Sequence, residues 1–407
     1  MADEFIISID IGTSKTVVMV AEEVKGKLQV KGYAENPSLG VDKGLITDID
    51  LVSKVIKKTM KEVGESCDRN LSNANVSINI SDACLSVINH SSPLRIKGKI
   101  TKNKVISAIE LASAVTIPAN NEELHSVVND FIINDGSPDS LVTHQPIGME
   151  AQTLKANMHI VSVSERNVEN VMQSISKSDL GATQIVLDSM AISEACIAKE
   201  EKENGVCLVD IGAGVSNFSI FIKGGLAYSA IVPLGGNKIT EDIAYAFDTS
   251  LEQAESLKIE HGHVQVSLPK EDKLIEFFQN HNSQERYLSS YDLIEVVKKS
   301  YSKLFSDIRK EINSKKYNLK AGFVLTGGAS KIPGCAELFM KSTSTKTKLG
   351  RVNENRITGN VAIISNPIYA SALGLLLYEG NESYLEVVQL SEKTGLLDKI
   401  KGKFREF

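Results

Sequence analysis

The period of the apolar residues changes along this chain, and the changes mark out its parts. Phe5-Ile6-Ile7-Ser8-Ile9-Asp10-Ile11, Val17-Val18-Met19-Val20-Ala21 and a third run reaching residue 35 read as strands joined by tight turns. From 48 to 64 the spacing is helical, with Leu51, Val55, Ile56 and Val63 on one stripe and Asp48 placed to cap it. Asn75 to Ile80 alternates as a strand. Residues 84–164 change character: alternating runs (Leu85 to Ile88, Ser126 to Ile132, His159 to Val163) surround one helical stretch near 103–115, which predicts a small inserted α+β unit. A helix over 165–178, a strand over 182–187 and a helix over 188–203 follow.

From residue 205 the opening pattern returns. Val206-Cys207-Leu208-Val209-Asp210-Ile211-Gly212 matches the first strand and its turn, and Phe218 to Ile222 matches the second. A strand over 226–232 ends at Gly235-Gly236-Asn237, before helices over 238–247 and 250–260. Residues 264–286 are polar and read as loop. A long helix over 287–314 carries Leu288, Tyr291, Ile294, Val297, Tyr301, Leu304, Ile308 and Ile312 on its buried stripe. Its other face, with Glu295, Lys298, Lys299 and Lys303, reads as solvated or as a docking surface. A strand over 321–325 runs into Gly327-Gly328-Ala329, then come a helix over 335–342 and a Pro-started helix from Asn366 to Leu375.

The repeated element has a chemical reading. In both copies an apolar strand ends on an Asp and a Gly follows two residues later, before a short turn. Such a turn lets backbone N–H groups approach a phosphate with no Cβ in the way. The Asp sets a carboxylate beside it, where Mg²⁺ can bridge, usually through water. One copy is also an ordinary hairpin, but two facing copies would clamp a triphosphate. Gly12 is not followed by Gly-Lys-Ser/Thr, and Gly212-Ala213-Gly214-Val215-Ser216-Asn217 lacks the last Gly of a dinucleotide fingerprint.

Composition narrows the classes. With 407 residues the chain is long enough for two or more lobes, and its 42% apolar content fills substantial cores. A net charge of −6 and the absence of Trp argue against a nucleic-acid binder. The five cysteines (Cys67, Cys84, Cys196, Cys207, Cys335) are scattered without C-x-x-C, which reads as reduced and cytosolic. The acidic N-terminus is unlike a signal peptide, and no apolar run approaches the ~20 residues of a membrane span. His90, His125, His144 and His159 lack metal-ligand spacing. His261-Gly262-His263 lacks a third ligand and reads as a helix end.

Residues 379–393 read as a flexible linker, and beyond them the pattern changes once more. At about 100° per residue, Leu396, Leu397, Ile400, Phe404 and Phe407 fall on one face. Lys399, Lys401, Lys403 and Arg405 flank them, and from Lys393 onward five basic residues less two acidic ones leave +3. One reading is a helix docked on the fold. The other is an interfacial membrane helix over 394–407. Three net charges contribute roughly 3 kcal/mol at an anionic surface, and five half-immersed side chains about 5 kcal/mol. Helix formation offsets part of this, so one tail binds reversibly and an array of tails stays attached.

The paired turns resemble the phosphate loops of the actin, sugar-kinase and DnaK superfamily. With the tail included, the chain resembles the FtsA family of actin-like bacterial cell-division proteins nearly end to end. Lys43-Gly44 with Asp48, Gly235-Gly236-Asn237, Asp242 to Phe247, Glu255-x-x-Lys258, Leu325 to Ala329 and the closing Arg405-Glu406-Phe407 all look like that family. The resemblance implies an α/β, actin-like, two-lobed duplicated fold with an inserted subdomain (1C) and a C-terminal amphipathic helix. The first lobe would be 1–83 with 165–204, the insertion 84–164 and the second lobe 205–378.

It also implies ATP with Mg²⁺ between the lobes. Gly12, Thr13, Ser14 and Lys15 would meet the phosphates from one side, and Gly212, Ala213, Gly214 and Val215 from the other. Gly235, Gly236 and Asn237 would lie nearby. Asp10 and Asp210 would hold Mg²⁺ through water, Glu255 and Lys258 would reach the ribose, and Gly327, Gly328 and Ala329 would border the adenine. The implied role is a membrane-bound filament that anchors FtsZ through its tail and recruits division proteins through 84–164. No nucleic acid is expected.

Two departures from the family pattern bear on chemistry. Val215 stands where many relatives have Thr, with Ser216 as the adjacent hydroxyl. Asp188 takes the place of a water-orienting Glu and is one methylene shorter. Both predict slow or negligible ATP hydrolysis. Two alternatives share the loops: a pilus-assembly ATP-binding protein, and a small-molecule kinase, which needs a general base facing a substrate pocket.

Overall fold

The computed structural model describes residues 5–378 except 68–70, 72–74, 83, 266–270, 280–284 and 314–315. The expected linker 379–393 and amphipathic helix 394–407, with Leu396, Leu397, Ile400, Phe404, Phe407, Lys399, Lys401, Lys403 and Arg405, lie outside the described residues.

Two sheets carry the duplication. In the first, Phe5–Ile11, Lys15–Val24 and Lys27–Pro37 form an antiparallel meander. On its other side Phe5–Ile11 pairs in parallel with Asn75–Ile80, and that strand with Gln184–Leu187. In the second, Val206–Ile211, Ser216–Ile222 and Gly225–Val232 form the same meander. There Val206–Ile211 pairs in parallel with Gly322–Thr326, and that strand with Thr347–Leu349. The two sheets thus share one strand order and one set of directions, apart from a short added edge, Ile357–Thr358, in the first.

Helices Asp188–Cys196 and Ala370–Leu377 lie between the sheets. They share one core with Val17 and Met19 of the first sheet and Leu208 and Val324 of the second. Gly374 is required at their crossing, because a Cβ there would stand 2.1 Å from the Ala191 carbonyl oxygen. The outer face of the first sheet is covered by Ile49–Cys67 and Glu165–Ser176. Asp48 caps the first of these, accepting the Leu51 amide at 2.9 Å. The outer face of the second is covered by Gly236–Phe247, Leu251–His261, Ser290–Asn313 and Cys335–Thr343.

Inserted in sequence between the two segments of the first lobe is a four-stranded sheet, Ser86–Lys99, Glu150–Ser164, Asn121–Ile133 and Leu141–Thr143 in spatial order. Lys102–Ser113 packs against it over a separate core. This sheet also touches the second lobe: Asn129 and Asn89 donate to the Leu226 and Ala227 carbonyls at 3.0 and 2.8 Å.

Several expectations are corrected. The stretch 264–286 holds the first strand of a hairpin, Leu274–Phe278 with Glu285–Ser289, which buries Ile275 and Phe277 around an exposed Glu276. The long helix therefore begins at Ser290, and Leu288 belongs to the hairpin. The helix expected over 188–203 is two, Asp188–Cys196 and Lys199–Asn204, because Ile197 turns extended. The Pro-started helix opens as a 3₁₀ turn, Pro367–Tyr369, with Asn366 accepting the Ile368 amide.

Candidate nucleotide site between the lobes

The two strand turns meet across a cavity of about 980 Å³. Each is closed by the same bond, Gly12 N–H to the Lys15 carbonyl and Gly212 N–H to the Val215 carbonyl, both 3.0 Å. The loops interlock. A Cβ on Gly214 would stand 2.8 Å from Thr13 Oγ1 and 3.0 Å from Lys43 Cα. Thr13 Oγ1 in turn accepts the Gly44 amide at 2.9 Å, which places the Lys43-Gly44 turn in the seam. Gly44 has φ +77°, a left-handed conformation open to Gly at little cost.

A third turn lies on the second loop. The Gly236 and Asn237 amides donate to the Gly212 and Ala213 carbonyls, both at 2.8 Å. A Cβ on Gly235 would fall 2.6 Å from both oxygens. Gly235 is the one predicted residue among the described ones that does not line the cavity; it supports the loop from behind. Gly12, Thr13, Ser14, Lys15, Gly212, Ala213, Gly214, Val215, Gly236, Asn237, Glu255, Lys258, Gly327, Gly328, Ala329, Asp10, Asp188 and Asp210 all line it.

At the outer end, Lys258 Nζ reaches the Gly236 carbonyl (3.1 Å), Thr240 Oγ1 (2.8 Å) and Glu255 Oε2 (2.6 Å). Tyr301 donates to the Ala329 carbonyl at 2.7 Å and steadies the Gly327-Gly328-Ala329 turn. Gly327 has φ +86°, and a Cβ there would stand 2.3 Å from Asp210 Oδ1. At the inner edge Lys15 is held by Glu35 at 2.5 Å and lies 4.2 Å from the centre of the Tyr369 ring.

The floor is acidic. Asp10, Asp188 and Asp210 are drawn together by Asn79 and Asn217, neither of which the sequence singles out. Burial, reinforced by the charge of Asp188, pushes Asp10 up to about 7. Burial raises Asp188, and burial with the charges of Asp188 and Asp10 raises Asp210 well above the carboxylate range. Three mutually repelling carboxylates in one buried floor suit a divalent cation. Glycine cradles above them suit phosphate. The residues present therefore fit Mg²⁺ and a nucleotide. Among the described residues no three His, Cys, Asp or Glu side chains are grouped to ligate a metal directly.

Comparison with known proteins gives the family and the fold. The chain is 30% identical to the cell division protein FtsA of Pseudomonas aeruginosa over 378 residues, 92% of this chain and 89% of that protein. The chain belongs to the FtsA family. The family model for cell division protein FtsA matches residues 207–374, and that for type IV pilus assembly protein PilM matches 8–285. Among solved structures, a PilM–PilN type IV pilus biogenesis complex is similar at TM-score 0.62 and 16% identity, covering 91% of this chain and 97% of that one. MreB5 of Spiroplasma citri bound to ADP is similar at 0.57 and 14%, covering 96% and 99%. At those identities the likeness shows an actin-like fold.

The second glycine turn presents no hydroxyl to the cavity from Val215 or Ser216. Ser216 does not replace the Thr missing at Val215, since it is buried and donates to the Leu234 carbonyl at 2.7 Å. Three of the isolated histidines have structural partners. His90 Nδ1 lies 2.8 Å from the Ala112 carbonyl, His125 Nε2 accepts the Leu187 amide at 2.9 Å, and His159 Nδ1 lies 2.7 Å from Asn89 Oδ1. Among the described residues no helix is long and apolar enough to cross a membrane.

Proposed function

We propose that this FtsA-family chain binds ATP with Mg²⁺ between its lobes, assembles into filaments on the cytoplasmic face of the membrane, and holds FtsZ filaments there. The observation that carries the reading is the opposition of two like hairpins over one cavity whose floor holds Asp10, Asp188 and Asp210. Backbone amides of Thr13 to Lys15 and of Ala213 to Val215 take the phosphates, while the Gly12 and Gly212 amides close the two turns. Asp10 and Asp210 hold the cation through water, and the bound cation neutralises phosphate charge. Glu255 and Lys258 face the ribose, and Gly327, Gly328 and Ala329 border the base.

Hydrolysis is slow in this reading. Val215 offers no hydroxyl, and the Asp188 carboxylate is already held by three donors, Asn79, Asn217 and Ser371. Nucleotide then acts chiefly as a ligand for closure and assembly. Exposed Tyr245, Leu274 and Tyr287 give the second lobe apolar surface for a partner, whether a second copy or the FtsZ tail. The unit 84–164 would meet other division proteins, and residues 394–407 would bind anionic lipid through the basic amphipathic pattern of their sequence.

Electron microscopy of the protein with ATP on an anionic lipid monolayer tests the whole reading, with membrane-bound filaments as the expected result. Deleting 394–407 should abolish binding to anionic liposomes, and unchanged binding would remove the tether. Turnover of ATP with a panel of sugars or polyols at rates normal for a metabolic kinase would instead support the kinase alternative.

A further inference from the structure

Asn79 and Asn217 are 5% and 4% exposed, and each aims its amide nitrogen at two carboxylates. Asn79 Nδ2 donates to Asp10 Oδ1 at 2.7 Å and Asp188 Oδ1 at 3.3 Å. Asn217 Nδ2 donates to Asp188 Oδ2 at 3.2 Å and Asp210 Oδ2 at 3.4 Å. Their oxygens are engaged as well, which fixes the direction of each amide. Asn79 Oδ1 accepts the Ile11 amide at 2.7 Å, and Asn217 Oδ1 accepts the Ser81 hydroxyl at 3.5 Å from the other lobe. Asp188 also receives Ser371 at 2.5 Å, from the second helix between the sheets. One carboxylate is thereby tied to a strand of each sheet and to both central helices.

A primary amide suits this task chemically. It carries two N–H groups on one nitrogen, so it can bridge two carboxylates. It brings no charge, so it leaves the negative potential of the floor for a cation; a Lys or Arg would cancel it. We propose that Asn79 and Asn217 are positioning residues that join Asp10, Asp188 and Asp210 into one array across the cleft, making cation-dependent nucleotide binding and lobe closure a single event. This rests on the nucleotide reading above and adds the residues that couple the site to the two lobes.

The test uses the full chain and its Asn79→Ala, Asn217→Ala and doubly substituted forms. ATP binding is titrated at graded Mg²⁺ and in EDTA, and backbone hydrogen exchange of residues 188–196 and 370–377 is followed without nucleotide. Each single substitution should raise the Mg²⁺ concentration for half-maximal binding about tenfold, as expected for a lost bond to a charged group. Binding in EDTA should stay within about twofold. The double form should fall short of the product of the two effects, because both act through Asp188. Exchange in both helices should quicken about tenfold or more. Folded variants with the parent's Mg²⁺ dependence, or effects that simply multiply, would overturn the array. Should an alanine form fail to fold, Asn79→Ser and Asn217→Ser keep one donor and take the same titration, with a smaller shift expected and no shift refuting. A parent that binds no ATP at any Mg²⁺ sinks the nucleotide reading, and the exchange comparison then decides the array alone.

Discussion

Gly235→Ala is the sharpest single test of the clamp. Gly235 lies in extended backbone, φ −153°, which any residue adopts, so alanine brings no torsional strain. Its Cβ would stand 2.6 Å from the Gly212 and Ala213 carbonyl oxygens. Ordinary carbon–oxygen contacts begin at about 3.3 Å, so the turn and the loop must part by about 0.7 Å. The same oxygens accept the Gly236 and Asn237 amides at 2.8 Å, so those bonds lengthen and the loop shifts with them. A hydrogen bond to a charged group contributes about 1.5–3 kcal/mol. Displacing two amides from a bound phosphate therefore costs about 3–6 kcal/mol, or at least about a hundredfold in affinity. Overpacking costs the fold about 1–3 kcal/mol. Titration of a fluorescent ATP analogue with Mg²⁺, beside a thermal melt, separates the two. Affinity within about threefold of the parent in a variant that melts normally would show that this loop does not hold phosphate.

Gly64, inside helix Ile49–Cys67, is the matched control: a Cβ there meets nothing within 4 Å. Gly64→Ala should raise stability by about 0.5–1 kcal/mol and leave ATP affinity alone; a lower denaturant midpoint refutes it. Glu35→Gln frees Lys15 from a half-exposed pair of the kind that contributes up to about 1 kcal/mol, so ATP should bind about two- to fivefold more tightly at low salt, and no change would place Lys15 away from the phosphates. Burial holds His125 down at about 4 and His159 at about 3. Below the ordinary value of about 6.5 the unfolded chain takes up protons that the folded one refuses, so stability falls with pH, by about 2 kcal/mol per histidine at pH 5. Asp10, raised to about 7, acts oppositely, because the folded protein keeps its proton longer and loses stability as pH rises through 7. Comparing His159→Phe with its parent cancels Asp10: the variant should gain about 2 kcal/mol relative to the parent between pH 7 and pH 5 in urea melts, and parallel pH courses would refute this.

The hairpins were legible in the sequence because each packs its chemistry into a dozen consecutive residues. What lay across strands was not. Ser216 adjoins Val215 in sequence, but Val215 ends the turn while Ser216 opens the strand Ser216–Ile222, and its hydroxyl turns to Leu234. Asn79 works on partners distant in sequence, Asp10 and Asp188, and no spacing marks it. The hairpin strand Leu274–Phe278 is only five residues long between polar flanks, too short for its alternation to stand out. Ile197 gave no helix-breaking signal, being neither Gly nor Pro.

The duplication itself stops at the floor of the cleft. In the first sheet Ile9 pairs with Ile78, which sets Asn79 beside Asp10. In the second, Asp210 pairs with Thr326, and the Thr326 hydroxyl turns away to the Pro367 carbonyl at 3.4 Å. The amide serving Asp210 comes instead from the antiparallel neighbour, where Asn217 pairs with it. The first lobe therefore holds its Asp from the parallel side and the second from the hairpin side, and both amides point toward the middle, where Asp188 receives them. A symmetric floor, with an amide on each parallel neighbour, would lack the donor that reaches Asp188 from the hairpin side. The two glycine hairpins come from what the halves share, while the link between the halves comes from where they differ. Substitutions at Asn79, Asn217 or Ser371 should thus change how the lobes respond to a ligand more than whether the hairpins form.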